Sequence, residues 1–72
     1  MSNDEFYKKI GERIKALRKA RGFSQETLAG ECNIDRAHIG FIEQGRRRPT
    51  LSTLRKIVAA LDVPLSKFFA DL

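Results

Sequence analysis

Cysteine occurs once, at Cys32, in a chain of 72 residues. No disulfide can close within the chain, which excludes a disulfide-stapled scaffold and suits a reducing, cytoplasmic setting. Long apolar runs are missing too. Nothing approaches the roughly 20 residues that span a bilayer, and the opening MSNDEFYKK has no apolar signal core. No membrane partner is expected. There is one histidine, His38, and the carboxylates are not clustered. That leaves no nucleophile–base pair and no metal set, so neither an enzyme nor a metal or other cofactor is expected, and no small-molecule site is evident. Strand alternation, repeats and low-complexity segments are also absent.

What the chain does have is positive charge and helical periodicity. The formal net charge is +5 at pH 7 and the isoelectric point about 9.9. Such a balance suits a polyanionic partner, although it also fits a membrane surface or plain solubility. The length allows a single domain, 1–72, whose core supplies roughly 3–5 kcal/mol. Self-association is a plausible further source of stability.

Five short helices are predicted. The first covers about Asp4 to Arg21, where Phe6, Ile10, Ile14 and Leu17 recur at helical spacing. Ser2, Asn3 or Asp4 caps its start, and Gly22 stops it in a left-handed conformation with Phe23 as a core plug behind. Ser24 caps the second, about Gln25 to Cys32, with Leu28, Ala29 and Cys32 on one face. Gly30 lowers its helicity by about 1 kcal/mol relative to Ala, so packing must hold it. Asn33 tolerates the left-handed geometry of a tight turn, and Ile34 wedges the flanking helices apart.

Asp35 caps the third helix, about Arg36 to Gln44, with Ile39 and Ile42 facing inward and Gly45 ending it. Arg46, Arg47 and Arg48 then form a basic loop closed by Pro49. Thr50 caps the fourth, about Leu51 to Leu61, with an apolar stripe of Leu51, Leu54, Ile57, Val58 and Leu61. Pro64 opens the last, about Leu65 to Ala70, which carries Leu65, Phe68 and Phe69, with Leu72 just beyond.

Within 24–45 a polar Gln25 opens one helix, small Ala29 sits at the crossing, and Ile34, Ile39 and Glu43 follow, with Gly45 after. This pattern resembles the helix-turn-helix of the phage-repressor and Cro-like (XRE-type) family. The flanks IGERIKALRKARGFSQETLA and IEQGRRRPTLSTLRKIVAALDVPLSKFF extend the resemblance to about Ile10 to Phe69. It implies an all-α, compact five-helix, lambda-repressor-like DNA-binding domain. In size and layout the chain is similar to the controller proteins of restriction–modification systems, with Asp35-Arg36 opening the recognition helix. One departure is Asn33, where glycine is frequent; asparagine accepts the same backbone geometry.

The resemblance gives the third helix a place in the major groove. Arg36 is then the leading base contact, since a guanidinium pairs bidentately with guanine O6 and N7, worth about 1–3 kcal/mol of discrimination; a phosphate contact or a solvated charge is the bland alternative. Ala37 against a thymine methyl and His38 as a donor are further candidates, each equally readable as plain surface. Gly40, odd in mid-helix, suits close backbone approach to DNA or to a neighbouring helix. Phe41 is left over from the inward stripe, with packing on the first or fourth helix and a place at the edge of the DNA surface as its alternatives. Ser24 and Gln25, at a helix N-terminus, suit phosphate, with capping alone as the alternative. Arg46, Arg47 and Arg48, together with Arg21 and Lys19, add candidate backbone contacts. The family further implies a partly buried salt bridge between Arg18 and Glu43. Cys32 reads as a small buried hydrophobe.

Phe68 and Phe69 are adjacent on a helix, so one completes the core and the other joins Leu65 or Leu72 in an apolar patch suited to a symmetric dimer. The expected function is a homodimeric, sequence-specific transcription regulator on double-stranded DNA, binding a (pseudo)palindromic operator and blocking or contacting RNA polymerase. An antitoxin-type protein-interaction module is the rival reading.

Overall fold

Hydroxyl caps start three of the five helices. In the computed structural model, which describes residues 2–72, the order is α1 (Asn3–Ala20), α2 (Gln25–Cys32), α3 (Arg36–Glu43), α4 (Leu51–Ala60) and α5 (Leu65–Phe68). Ser2, Ser24 and Thr50 each accept a hydrogen bond from the backbone N–H three residues on, at 3.1, 3.0 and 3.0 Å. One orphan donor at each start is thereby satisfied. Asp35 differs from expectation. It holds the N-cap position of α3 in extended geometry, but its side chain makes no capping hydrogen bond; the carboxylate is exposed, and water can satisfy it.

Four helices stop in one way. Gly22, Asn33, Gly45 and Asp62 take positive φ of 71°, 56°, 75° and 58°. Each donates its N–H three residues back, and the next residue donates five back, as Phe23 does to the Arg18 carbonyl and Val63 to the Val58 carbonyl, both at 3.0 Å. The residue after the turn is apolar at three of these ends, and Phe23, Ile34 and Val63 pack on the core. At the end of α3 it is Arg46.

The core draws on every helix: Ile10 and Ile14 of α1, Leu28, Ala29 and Cys32 of α2, Ile39 and Ile42 of α3, Leu54, Ile57 and Val58 of α4, and Phe68 of α5, with Leu61 at the end of α4. α3 packs on α1 and α2, and α4 on α2 and α5. Cys32 is buried, and its Sγ lies 3.7 Å from the Lys56 carbonyl oxygen. Burial pushes the thiol pKa up, Glu31 adds to that, and Lys56 opposes it, so the thiolate is disfavoured and the side chain serves as packing.

The place of Leu51 and the end of α5 differ from expectation, and the choice between Phe68 and Phe69 is decided. Leu51, assigned to the inward stripe of α4, is 70% exposed; it is the first residue of α4, a turn ahead of buried Leu54. Of the adjacent Phe68 and Phe69, Phe68 is the one that completes the core, at 0% exposure, and so it is not a dimer contact. α5 ends at Phe68, not near Ala70, because the chain turns there and reaches a left-handed Asp71 at φ 67°. Arg13 holds this turn: its Nη1 donates to the Phe68 and Ala70 carbonyls at 2.8 and 2.9 Å, clipping the last helix to α1.

α1 crosses α3 at Gly11. A Cβ there would strike the Ile42 carbonyl oxygen and come within 2.6 Å of that of Glu43, so the two backbones approach only because glycine has no side chain. Gly30, in mid-α2, has nothing within 4 Å of its Cβ position. Thermal unfolding should therefore separate the two. Gly30→Ala is expected to stabilise by about 0.4–1 kcal/mol, and Gly11→Ala to destabilise by about 1–3 kcal/mol. A Gly11→Ala variant melting with the wild type would refute the close crossing.

Candidate nucleic-acid interface

The left-handed Asn33 and the half-buried Ile34 set the angle between α2 and α3. α3 lays Ile39 and Ile42 on the core, which leaves its first turn outward: Arg36 and Ala37 are exposed, and His38 is half-buried. The helix is then tied down at its far end. Glu43 Oε2 accepts from Arg18 Nε at 2.6 Å, and Oε1 accepts from Arg18 Nη2 at 3.0 Å. Arg18 Nη1 donates to the Phe23 carbonyl at 2.8 Å. The two side chains are 8% and 2% exposed.

Gln25 completes the group by donating from Nε2 to Glu43 Oε1 at 3.0 Å. A single carboxylate thus receives donors from α1 and α2 and holds α3 against both. Among the described residues no buried side-chain polar atom lacks a partner, so the charge is compensated where it lies. Gln25, a candidate for phosphate or base, spends one of its amide hydrogens on this tie.

Gly40, weighed between a base contact through close approach to DNA and a place against a neighbouring helix, lies against the neighbouring helix. It is buried, and its Cβ position lies 3.8 Å from both the Nε2 and Oε1 of Gln25. That is ordinary contact with the carboxamide of α2, which a Cβ could also make, so the crossing of α2 and α3 does not require a glycine here. Ser24 is exposed at the start of α2, where its hydroxyl is engaged by Thr27.

The arginines proposed for the phosphates divide. Arg48 reaches the Asp4 carboxylate at 3.2 Å and lies 5.1 Å from the Tyr7 ring centre, which draws it toward the start of α1. Arg21 is 3.8 Å from Asp62 and stacks on Phe23 at 5.0 Å. Both pairs are exposed, and water screens them to little net value. Arg46 and Arg47 instead lie over one ring, that of Phe41, at 5.5 and 5.8 Å.

Of the apolar residues assigned to a dimer patch, Phe68 is buried, while Leu65, Phe69 and Leu72 are half-buried. Phe69 lines a groove with Leu51, Phe6, Tyr7 and Pro49 over buried Ile10 and Leu54. Leu72 lies in a separate depression beside Lys9, Glu12 and Arg13, and Leu65 is half-buried on the core. The sequence alone singled out neither Gly11 nor Arg13, and it placed Leu51 on the inward stripe of α4 instead of in this groove. Gly11 had one signal, a glycine inside a long helix far from either end. Among the described residues no three His, Cys, Asp or Glu side chains come together as a metal set, and no helix is long and apolar enough to cross a membrane.

Removing one partner of a buried ion pair strands the other, at a cost of about 3–5 kcal/mol, whereas replacing both by apolar groups is often neutral. Glu43→Leu alone should therefore lower the denaturant midpoint steeply, and Arg18→Met combined with Glu43→Leu should recover most of the loss. Additive losses in the double variant would show that the pair is not the unit holding α3.

A helix-turn-helix family model matches residues 14–68. The immunity repressor protein of Bacillus phage phi105 is 42% identical over 62 residues, which make up 86% of this chain and 43% of the repressor. The restriction–modification controller protein C.AhdI from Aeromonas hydrophila superposes with a TM-score of 0.87 at 38% identity, over 90% of this chain and 98% of that one. The controller C.Esp1396I, solved bound to a 25 base pair operator site, superposes with a TM-score of 0.81 at 36% identity, over 88% of this chain and 83% of that one. The chain therefore spans less than half the length of the phage repressor and nearly all of C.AhdI. With the match running from the middle of α1 through α5 and taking in the whole α2–turn–α3 unit, the chain belongs to the helix-turn-helix family, whose members are DNA-binding transcription regulators rather than enzymes.

Proposed function

We propose that this protein is a homodimeric, sequence-specific regulator of transcription that binds a two-fold-related operator, in the manner of a restriction–modification controller. The observation that carries this reading is the exposed first turn of α3, with Arg36 and Ala37 presented outward while Glu43 anchors the other end of the helix to α1 and α2. A rigidly seated helix with a free cationic start is what insertion into a major groove requires. In this reading Arg36 pairs with guanine, Ala37 touches a thymine methyl and His38 reaches a base edge or phosphate. Ser24, Arg46 and Arg47 grip the backbone, with Arg21 and Arg48 able to join by leaving their exposed acidic partners.

Dimerisation is assigned to the groove shared by Leu51 and Phe69. An exposed leucine beside a half-buried phenylalanine is apolar surface that a second copy would cover. Two copies would set their recognition helices about 34–36 Å apart, one turn of duplex. A 25 base pair site, the length bound by C.Esp1396I, has room for two such half-sites. Regulation then follows from occupying a promoter in the cytoplasm and blocking or contacting RNA polymerase.

Selection of bound sequences from random duplex DNA tests the reading directly, with a two-fold motif of half-sites one helical turn apart as the expected result. On the selected site, Arg36→Ala should cost about 1–3 kcal/mol and relax preference at one position of each half-site. Arg47→Ala should weaken all sequences alike. Retention of full affinity by both would remove α3 and its loop from the interface. Leu51→Asp should shift a micromolar dimer toward monomer in sedimentation and weaken operator binding with it; a dimer indifferent to this change would place the contact elsewhere.

A further inference from the structure

Phe41 is a large apolar side chain 36% exposed on the recognition helix, outside the core. Two arginines depend on it, each in two ways. The Arg46 and Arg47 N–H groups both donate to the Phe41 carbonyl, at 2.9 and 3.3 Å. Their guanidinium groups both lie over its ring, at 5.5 and 5.8 Å. Arg46 Nη1 also donates to Gln44 Oε1 at 3.3 Å. The three side chains of Phe41, Arg46 and Arg47 line one open depression on the surface. The contrast with other arginines is chemical. Arg18, Arg21 and Arg48 each lie within 4.0 Å of a carboxylate; among the described residues Arg46 and Arg47 form no such pair.

We propose that Phe41 is a positioning residue for DNA binding: its ring holds Arg46 and Arg47 in place without neutralising them, so that the pair closes on a backbone phosphate beside the groove that α3 enters. This rests on the DNA-binding reading given above and assigns a role to a side chain that the reading leaves idle. A guanidinium attracted to a ring through its face keeps its N–H edge for an oxygen acceptor. A carboxylate would also hold the arginine still, but it would cancel the charge that phosphate needs. Ordering two long side chains before the complex forms removes part of the entropy lost on binding.

The test uses a duplex of mixed sequence, because a phosphate contact carries no sequence information. Binding is measured across a salt titration for wild type, Phe41→Tyr, Phe41→Leu and Phe41→Met, each in the native background and in one carrying Arg46→Ala and Arg47→Ala. Helical content and thermal unfolding are followed in parallel. The double arginine change should flatten the salt dependence by up to about two counterions. Phe41→Leu and Phe41→Met should unfold with the wild type and bind about three- to ten-fold more weakly, an effect typical of lost pre-organisation, while Phe41→Tyr binds like wild type. In the background without the two arginines, neither change at position 41 should weaken binding further. Full affinity in Phe41→Leu and Phe41→Met overturns the proposal. So does an equal loss with and without the arginines, which would mean that the ring acts on DNA or on the fold by itself. A wild-type chain that does not bind the duplex even at low salt overturns the DNA-binding reading, and the platform falls with it.

Discussion

The Glu43 carboxylate is the constraint on which the arrangement of α1, α2 and α3 depends. A charge buried in a small core is tolerated only where it is paired and its lone pairs are occupied. Arg18 supplies two donors from α1 and Gln25 a third from α2. The group adds little net stability over an apolar replacement, but it is satisfied in one relative placement of three helices. A shift of α3 along or about its axis would break these bonds together. Gly11 permits the arrangement by letting the α1 backbone run against the end of α3 at the Ile42 and Glu43 carbonyls. The angle at which Arg36 leaves the surface is therefore decided at the opposite end of its helix.

Around this tie the chain repeats one solution for ending a helix: a residue at positive φ followed by one that turns back onto the last helical turn. At α1, α2 and α4 the residue that turns back is apolar and joins the core, so each stop also contributes burial. At α3 the same backbone geometry carries Arg46, which lies on Phe41 instead of entering the core. The substitution of a cation for a core residue falls at the helix end next to the proposed DNA face. A small domain thus gains a charged surface without a special loop, since the turn is the one it uses elsewhere.

Net positive charge alone says little about where an anion would sit. Arg13 serves carbonyl groups at the end of α5, Arg18 serves Glu43, and Arg21 and Arg48 have exposed acidic neighbours. These roles differ although the residues are chemically alike. Arg48 adjoins Arg47 in the chain yet lies over Tyr7, on α1. The loop at 46–48, uniform in sequence, is divided between two aromatic rings once folded.

Helix starts, helix stops and the inward face of each helix were legible in the sequence because their physics is local. A hydroxyl bonds an N–H three residues away, a left-handed stop involves residues within five positions, and apolar spacing of three and four repeats along one helix. The family pattern made Arg18 and Glu43 a candidate pair for the same chain. What lay outside local reach was the role of Gly11, the Arg13 clip, the Gln25 tie, the exposure of Leu51 and the choice of Phe68 over Phe69 for the core. The Gln25, Arg18 and Arg13 bonds join residues 18, 25, 55 and 57 apart. No periodicity or cap signal encodes such distances. The sequence by itself determined the elements and their buried faces, through interactions that reach about one helical turn. Only the tertiary structure decided which polar side chains hold the helices together and which are left to meet a partner, because that depends on which distant residues packing brings within hydrogen-bonding range.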